Sequence, residues 1–504
     1  MGERLLKALL FFLLFNFNNL AQAQIEISSH LSESNPNWDL FFTQNGRSHI
    51  DFGVYFTGNS PYQRNHKKLF APASNSKIFT TAAALRFLGP DYQIPTVLQW
   101  TSNPSDSHQI IYDLTLIGNG DPTWGMQEHG ETLHSKLDSF VSHLIQLGVK
   151  EVHGPLNVEA ADTRWELLRY PEGWEQEDYY SCYGALAQAF NLNINCARLK
   201  VLSSTEARWI EKGVPTQVHL DLKPGGKTDI KIIPTVDKNN VSVGFTIAGT
   251  WKKNQRPITY IFPIHDTKSW IKNLLIDSLS KNNIKYFPEK NFYQASVSHT
   301  KTFYSPKLSK IIIPFMKKSI NVVGAAIIKQ MALNLDYPHE DLLEGGQWAL
   351  KEFSYEINNT DLSHEVQLWD GSGISRESYV TPFAVNQVLI DIKNKNYFNY
   401  FWKALPIAGV DGTLKNRMKS TSAEGVLRAK TGTLRGVYNL SGYAPVYNSI
   451  GEEVDFIPFV LLTKTVSTFK SRARRTQDQA GALLVEINNS TPSNLLGDLF
   501  LAGY

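Results

Sequence analysis

The sequence predicts a mixed α/β (α+β) fold in which an antiparallel sheet, flanked by helices, is built from both ends of the chain. Residues 49–57 alternate between apolar and polar like a half-buried strand. Two more strand-like stretches surround Lys430 and cover residues 454–463. Between two polar motifs at 74–77 and 319–321 lie roughly 240 residues, enough for one or two inserted domains.

The inserted region itself divides into two kinds of pattern. Residues 111–160 read as a strand, a Gly-Asp-Pro turn, a helix over 133–147 and another strand, which predicts a small α/β unit. Residues 199–261 contain short strand-like runs separated by Gly, Pro and Asn, which predicts a small β domain. No internal repeat or low-complexity tract interrupts the chain.

The first polar motif, Ser74-Asn-Ser-Lys77, begins an apolar helix. A proline precedes the run and Gly89-Pro90 ends it, which are helix start and stop signals. Ser74 is then expected in the first turn, with Lys77 one turn later on the same face. The helix N-terminus and burial both lower the pKa of a lysine, so Lys77 could accept the Ser74 proton. The alternative is an N-cap serine and a solvated lysine.

The second motif, Ser319-Ile-Asn321, falls in a turn before the helical run 322–333. A hydroxyl and an amide two residues apart can both face a cleft from such a turn. Ser319 could then relay a proton to a leaving amine, and Asn321 could hold a substrate amide. The alternative is that Ser319 only caps the helix.

The third motif, Lys430-Thr431-Gly432-Thr433, lies on a predicted strand. Gly432 would let a substrate backbone approach the strand edge, and an extended peptide could add to that edge. Lys430 and Thr431 suit a terminal carboxylate. The backbone N–H groups of Ser74 and Thr433 would form an oxyanion hole. The alternative is an edge strand whose lysine discourages aggregation.

Each motif is weak alone, and their order makes the case. Ser-x-x-Lys also occurs at residues 269–272, 278–281, 298–301 and 467–470, and Ser-x-Asn at 280–282, whereas Lys-Thr-Gly occurs once. The ordered set Ser-x-x-Lys, Ser-x-Asn, Lys-Thr-Gly is typical of β-lactamases and penicillin-binding proteins. It predicts acyl transfer through a serine ester, with a lysine as proton carrier.

From about residue 52 to about residue 479, the chain resembles the low-molecular-mass class C penicillin-binding proteins, the D-alanyl-D-alanine carboxypeptidase/endopeptidase family. Three further segments carry the resemblance. They are Gly-Asp-Pro-Thr at 120–123, Asp-Gly-Ser-Gly-Ile-Ser-Arg at 370–376 and Leu-Pro-Ile-Ala-Gly-Val-Asp-Gly-Thr-Leu at 405–414. One departure is Ile320, where many members of the family have Asp.

The resemblance implies a serine β-lactamase/DD-peptidase-like hydrolase domain split by an insertion. The hydrolase domain would comprise residues 24–95 and 300–504. An inserted α/β domain would comprise 96–198 and 262–299, with a nested small β domain at 199–261. The implied activity is carboxypeptidase and/or endopeptidase cleavage of peptidoglycan stem peptides, with β-lactam antibiotics as covalent inhibitors and no metal or organic cofactor.

The resemblance also implies a substrate-binding wall in the inserted region. Asp178, Tyr183 and Arg376 match family positions that contact the diaminopimelic side chain of the substrate. An acid for the ammonium and a guanidinium for the carboxylate suit a zwitterionic head. The alternative for Asp178 is a solvated loop charge.

The two cysteines, Cys182 and Cys196, flank this wall. In an exported chain, an even count at short spacing suggests one disulfide, and some relatives have a pair at the same spacing. The alternative is two buried free thiols.

The N-terminus predicts export. Arg4 and Lys7 form a basic region, residues 8–15 a short apolar run, and Ala21-Gln-Ala23 a cleavage site, so residues 1–23 read as a signal peptide. The run is too short for a stable span, so we expect a periplasmic or cell-envelope protein with at most peripheral membrane contact. Net charge is +3 with 19% charged residues, which gives no nucleic-acid signal.

Other classes fit less well. The 13 histidines are scattered without His-Glu-x-x-His, against a zinc peptidase, and no Gly-x-Ser-x-Gly elbow supports a triad hydrolase. A serine β-lactamase would share the motifs, but the long insertion and the 370–376 segment argue against it. A non-catalytic peptidoglycan-binding protein would not need all the polar groups of the site. The sequence leaves the oligomeric state open.

Overall fold

A computed structural model describes residues 37–46, 49–103, 109–290, 297–355, 357–448 and 450–489. The predicted signal peptide at 1–23 lies outside the described residues. In the described part of the chain, no helix is long and apolar enough to cross a membrane.

The described residues form strands from Ile50 to Thr465. In chain order they are β1 Ile50–Phe56, β2 Tyr62–Arg64, β3 Pro95–Ser102, β4 Ile110–Gly118, β5 Asp121–Trp124, β6 Glu151–His153, β7 Asn157–Ala160, β8 Phe190–Leu192, β9 Cys196–Val201, β10 Ala207–Trp209, β11 Gln217–Gly225, β12 Asp229–Val236, β13 Ser242–Lys252, β14 Ile258–Pro263, β15 Lys285–Phe287, β16 Val297–Tyr304, β17 Val366–Gln367, β18 Tyr379–Val380, β19 Arg428–Leu434, β20 Val437–Tyr447 and β21 Glu453–Thr465.

The helices of the described residues occur at both chain ends and in the insertion. They are α1 Trp38–Gly46, α2 Ser76–Phe87, α3 Ser135–Gln146, α4 Gln176–Tyr179, α5 Thr267–Lys281, α6 Leu308–Lys318, α7 Asn321–Asn334, α8 Leu342–Tyr355, α9 Pro382–Lys393, α10 Phe398–Ala404 and α11 Lys470–Asn489.

The central sheet has the strand order β19-β20-β21-β1-β2, with every neighbouring pair antiparallel. Its first strand in sequence, β1, pairs directly with β21 from the C-terminal part, for example Ile50 opposite Thr465, and β2 pairs with the other side of β1. The fold prediction is therefore confirmed: the sheet is antiparallel, is built from both chain ends and is flanked by helices.

Two hydrophobic layers cover the two faces of this sheet. One layer joins α1 and α11 to the sheet and contains Phe42, Phe52, Leu440 and Leu484, all nearly inaccessible to water. The other layer contains helices α2, α6, α7, α8 and α9. Helix α2 lies inside that layer, with every residue from Ser76 to Leu85 buried. This burial is what the apolar sequence after Ser74 predicts, because a helix that is apolar all round must be covered all round.

The insertion contains a six-stranded sheet of order β15-β6-β4-β3-β16, with β7 also paired to β4. Helices α3 and α5 pack against it in a separate core around Trp270. Strands β11, β13 and β12 form a small sheet that shares a fourth core with β9 and β14, around Phe245 and Phe262. The predicted boundary at 299/300 falls within β16, which pairs with β3 along its full length. The domain boundaries remain predictions.

Candidate active site

Ser74 lies in a short 3-10 turn, Ala73–Asn75, that leads directly into helix α2. Ala73 has φ +45°, a left-handed conformation that is uncommon for a residue other than glycine. Two amide side chains hold the turn: Asn439 Nδ2 donates to the carbonyl of Pro72 at 2.7 Å, and Asn75 Nδ2 donates to Ser441 Oγ at 2.7 Å. The serine is therefore fixed against strand β20, and its side chain stays partly accessible.

Lys77 is fully buried and contacts three oxygens. Its Nζ lies 3.0 Å from Ser74 Oγ, 2.8 Å from Asn321 Oδ1 and 2.6 Å from the carbonyl oxygen of Ser372. Burial drives its pKa well below the ordinary value of 10.5. The neighbouring Lys430 lowers this pKa further, and Asp370 opposes the shift. The solvated alternative for Lys77 does not describe this side chain.

The Ser372 carbonyl is positioned by Asp370, whose residue is 1% exposed. Its carboxylate accepts hydrogen bonds from the tight turn that follows it and from an indole. The donors are the backbone N–H groups of Ser372, Gly373, Ile374 and Ser375, and Trp174 Nε1. Gly373 has φ +82°, and a Cβ there would meet the Ala73 carbonyl oxygen at 1.8 Å. Only glycine fits at this contact between the turn and the Ser74 segment.

Ser319 and Asn321 lie where helix α6 ends and helix α7 begins. Ser319 has φ +61° and ends α6 in the left-handed conformation, so it is not an N-cap. Asn321 is the first residue of α7. Its Oδ1 accepts from Lys77, and its Nδ2 donates to the Tyr183 carbonyl at 2.9 Å. The amide therefore connects the lysine to the inserted region.

Lys430 is fully buried on strand β19, the edge of the central sheet. Its Nζ donates to Ser319 Oγ at 3.0 Å and to the Thr431 carbonyl at 2.9 Å. Burial lowers the pKa of Lys430 to about 7. Both lysines of the site are thus held where a neutral amine is favoured.

The rest of the third motif faces the Ser74 segment and a loop. Thr431 Oγ1 donates to Thr413 Oγ1 at 2.8 Å. A Cβ on Gly432 would meet the Pro72 carbonyl oxygen at 2.7 Å, so the strand passes close to the turn that carries Ser74. The Thr433 side chain is exposed. The oxyanion hole expected from the Ser74 and Thr433 N–H groups remains a prediction.

The wall predicted to bind the diamino acid brings Asp178, Tyr183 and Arg376 together. Tyr183 Oη donates to Asp178 Oδ1 at 2.8 Å, and Arg376 Nη1 lies 3.8 Å from Asp178 Oδ2. Asp178 is 2% exposed, and its Oδ2 also accepts from the N–H of Glu175, the residue that caps helix α4. The nearer acid for Arg376 is Glu175, at 2.6 Å from Nε.

Cys182 and Cys196 are joined in a disulfide. The bridge connects the 3-10 turn next to Tyr183 with the start of strand β9. It therefore lies directly behind the wall that contains Asp178 and Tyr183.

Sequence reasoning missed several residues of the site. Glu175 and Thr413 contact the predicted residues directly. Asp370 and Thr413 stand in the segments 370–376 and 405–414 on which the resemblance rests, so those segments contained the signal. No short-range pattern points to Glu175. Among the described residues, no group of three His, Cys, Asp or Glu could hold a metal ion.

A serine next to a buried lysine, with a second serine–lysine pair across the cleft, defines a serine peptidase that works through an acyl-enzyme. The sequence profile of the D-Ala-D-Ala carboxypeptidase 3 (S13) family matches residues 54–483. The chain belongs to this family, and the recognition from its motifs is confirmed.

Individual proteins that are similar to this chain agree with its assignment to the family. A D-alanyl-D-alanine carboxypeptidase of Actinomadura sp. (strain R39) is 28% identical over 414 residues, covering 77% of this chain and 73% of the relative. The D-alanyl-D-alanine carboxypeptidase DacB of Haemophilus influenzae is 25% identical over 420 residues, covering 79% and 81%. The crystal structure of penicillin-binding protein 4 from Haemophilus influenzae superposes with a TM-score of 0.69 at 24% identity, over 90% of this chain and 100% of that chain. This superposition establishes the fold.

Proposed function

We propose that the chain is an exported serine peptidase that hydrolyses the D-Ala-D-Ala end of peptidoglycan stem peptides, and D-Ala–diamino acid cross-links, through an ester on Ser74. Family membership supports the reaction class. The predicted signal peptide supports a periplasmic or envelope location, where this substrate is found.

The observation that carries the proposal is the set of partners around Lys77 Nζ. A neutral amine has two hydrogens and one lone pair. Asn321 Oδ1 at 2.8 Å and the Ser372 carbonyl at 2.6 Å accept the two hydrogens. The lone pair is then left for the hydroxyl of Ser74 at 3.0 Å. Burial favours this neutral form, so Lys77 is set to take the proton when Ser74 attacks.

The reaction follows from these positions. Ser74 Oγ bonds to the carbonyl carbon of the penultimate D-alanine as its proton moves to Lys77. Backbone N–H groups stabilise the oxyanion. The carbon–nitrogen bond then breaks as the proton held by Lys77 passes to the leaving amine through Ser319, which is hydrogen-bonded to Lys430, so that Lys77 is neutral again. Water attacks the ester with Lys77 again as base, which releases the shortened peptide and restores Ser74.

Penicillin should form the same ester and leave it slowly, because it mimics the D-Ala-D-Ala end. The first test is to incubate the mature protein with a fluorescent penicillin beside a Ser74→Ala variant, and to follow the label on a denaturing gel over time. We expect a long-lived label on the wild type only. The matched control is Ser76→Ala, since Ser76 Oγ is buried two residues further along the chain and makes no hydrogen bond within the described residues.

Release of D-alanine from a D-Ala-D-Ala stem peptide, measured on the same two variants, completes the test. Label on Ser74→Ala equal to that of the wild type would refute the assignment of the nucleophile. Rapid loss of label with hydrolysed penicillin and no D-alanine would instead indicate a β-lactamase.

A further inference from the structure

A cavity of about 360 Å³ lies at the end of strand β19, next to Thr433 in sequence. Its lining includes Leu434 and Arg435, the two residues that directly follow the third motif, and Arg376 from the diamino acid wall. Ala71, which precedes the Ser74 turn, lines the opposite side. The volume is in the range of small-ligand sites, roughly 300–1,000 Å³.

The floor of this cavity belongs to the face of the central sheet that carries Lys430. Side chains alternate along a strand, so Lys430 and Leu434 point to the same face. Leu434 pairs with Val437, and Val437 pairs with Lys464 on the next strand. Residues directly opposite each other in antiparallel strands share a face. One row of side chains, made of Leu434, Val437 and Lys464, therefore lies on the same face of the sheet as Lys430.

The direction of a bound peptide places its N-terminal part over this row. The terminal carboxylate is expected at Lys430 and Thr431, and the scissile carbonyl at the Thr433 N–H. The acyl side of the substrate must then run on past Leu434 towards Arg435. Two residues of extended chain cover about 7 Å. The diamino acid directly precedes the penultimate D-alanine, and one more residue precedes the diamino acid. A length of about 7 Å brings that residue to Arg435 and the cavity.

The charges in the cavity favour an anion. Three lining residues are basic, namely Arg376, Arg435 and Lys464, and one, Glu377, is acidic. Arg376 is held by Glu175. Arg435 pairs with Glu177 at 2.9 Å, but both side chains are well exposed, so this ion pair is weak and exchangeable.

Lys464 is the available cation of the row. It is exposed and makes no ion pair within the described part of the chain. Asp51, directly opposite Lys464 on strand β1, already pairs with Lys68 at 2.5 Å. The Glu377 side chain packs against Gly173.

We propose that this cavity is a specificity subsite for a carboxylate on the acyl side of the stem peptide, one residue before the diamino acid. A γ-linked glutamate has a free α-carboxylate at this position, and Lys464 with Arg435 would bind it. The inference rests on the proposed function and extends the same site by one residue.

The test compares two synthetic pentapeptides, L-Ala-γ-D-Glu-diamino acid-D-Ala-D-Ala and the same peptide with the glutamyl α-carboxylate converted to an amide. The readout is kcat/KM for D-alanine release by the mature protein. We expect the carboxylate peptide to be preferred by about threefold to tenfold, as for one or two partly exposed charge pairs. Lys464→Gln should remove most of this preference, and Arg435→Gln should lower it in part.

The matched control is Lys419→Gln, an exposed lysine next to Met418 in the core on the opposite face of the sheet. It should keep the wild-type preference. An equal kcat/KM for both peptides in the wild type, or a preference that survives in Lys464→Gln, would overturn the subsite while the proposed function stands. Release of no D-alanine from either peptide would overturn the proposed function, and the subsite with it.

Discussion

Replacing Asp370 by asparagine should damage both the stability of the protein and its acylation, although the two side chains have nearly the same shape. The carboxylate is buried, and all its hydrogen bonds are accepted ones. Oδ1 accepts from the N–H of Ser372 at 2.7 Å. Oδ2 accepts from Ser375 N–H and from Trp174 Nε1, both at 2.8 Å. An asparagine keeps one acceptor oxygen, but its NH2 group would face N–H groups of the turn or the indole, which are donors themselves.

The magnitude follows from counting the donors that lose their acceptor. If the amide nitrogen takes the Oδ2 position, Ser375 N–H and Trp174 Nε1 are left buried and unpaired. In the other orientation, the N–H groups of Ser372 and Gly373 lose their acceptor. Each unpaired buried donor costs about 1–3 kcal/mol, so we expect a loss of about 2–6 kcal/mol in the free energy of unfolding. This corresponds to a fall in Tm on the order of 10 °C.

Acylation should slow as well, because the Ser372 carbonyl that orients Lys77 belongs to the same turn. A loss of about 1.4 kcal/mol in positioning would lower the rate tenfold, and we expect at least about that effect on penicillin labelling. The measurements are calorimetric unfolding and the labelling rate at a temperature where the variant is folded.

Asp361→Asn is the matched control, since Asp361 lies in an exposed loop and accepts from Ser363 N–H at 2.8 Å. It should stay within about 0.5 kcal/mol of the wild type. The reasoning is refuted if Asp370→Asn unfolds within about 2 °C of the wild type and reacts with penicillin at the same rate.

Three other predictions concern the lysine, the glycine and the disulfide. Lys430 has a pKa of about 7 in the folded protein and near 10.5 when unfolded, so between these values the unfolded chain binds more protons. The free energy of unfolding of the wild type should therefore rise with pH relative to Lys430→Met, by up to about 1.4 kcal/mol per pH unit from pH 7 to 10, in denaturant titrations; a difference that does not change with pH would contradict this. Gly432→Ala should slow acylation at least about tenfold, because its Cβ would push the Pro72 carbonyl next to Ser74, whereas Gly226→Ala, which meets nothing within 4 Å, should react normally. Cys196→Ser should lower the free energy of unfolding by about 3 kcal/mol, as expected for a loop of this length, and should raise KM for peptides with a diamino acid more than it slows penicillin labelling; equal effects on both would show that the bridge does not support the wall.

Much of the fold could be read from the chain because local patterns coincide with its main elements. The alternation at 49–57 gave strand β1, and the apolar run between Pro72 and Gly89 gave the buried helix α2. The predicted helix 133–147 is observed as Ser135–Gln146. The distance between the motifs predicted room for one or two inserted domains, whose boundaries stay predictions. The pairing of β16 with β3 could not be read from the chain, since it depends on hydrogen bonds between residues far apart in sequence, and the domain boundary at 299/300 stays a prediction.

The sequence by itself determined the reaction class, because the order of three motifs and the segments around them identify the family. Spacing alone put Lys77 within reach of Ser74, since residues three apart on a helix are neighbours. The tertiary structure decided whether that lysine can act as a base. Its burial depends on the helices packed around it. Two of its three hydrogen-bond partners are Asn321 and Ser372, which are distant in sequence. Likewise, only the folded chain pairs Arg376 with Glu175 and brings Lys464 into the lining of the same cavity as Arg376. Local periodicity encodes which residues share a face, whereas desolvation and charge depend on everything that packs around them.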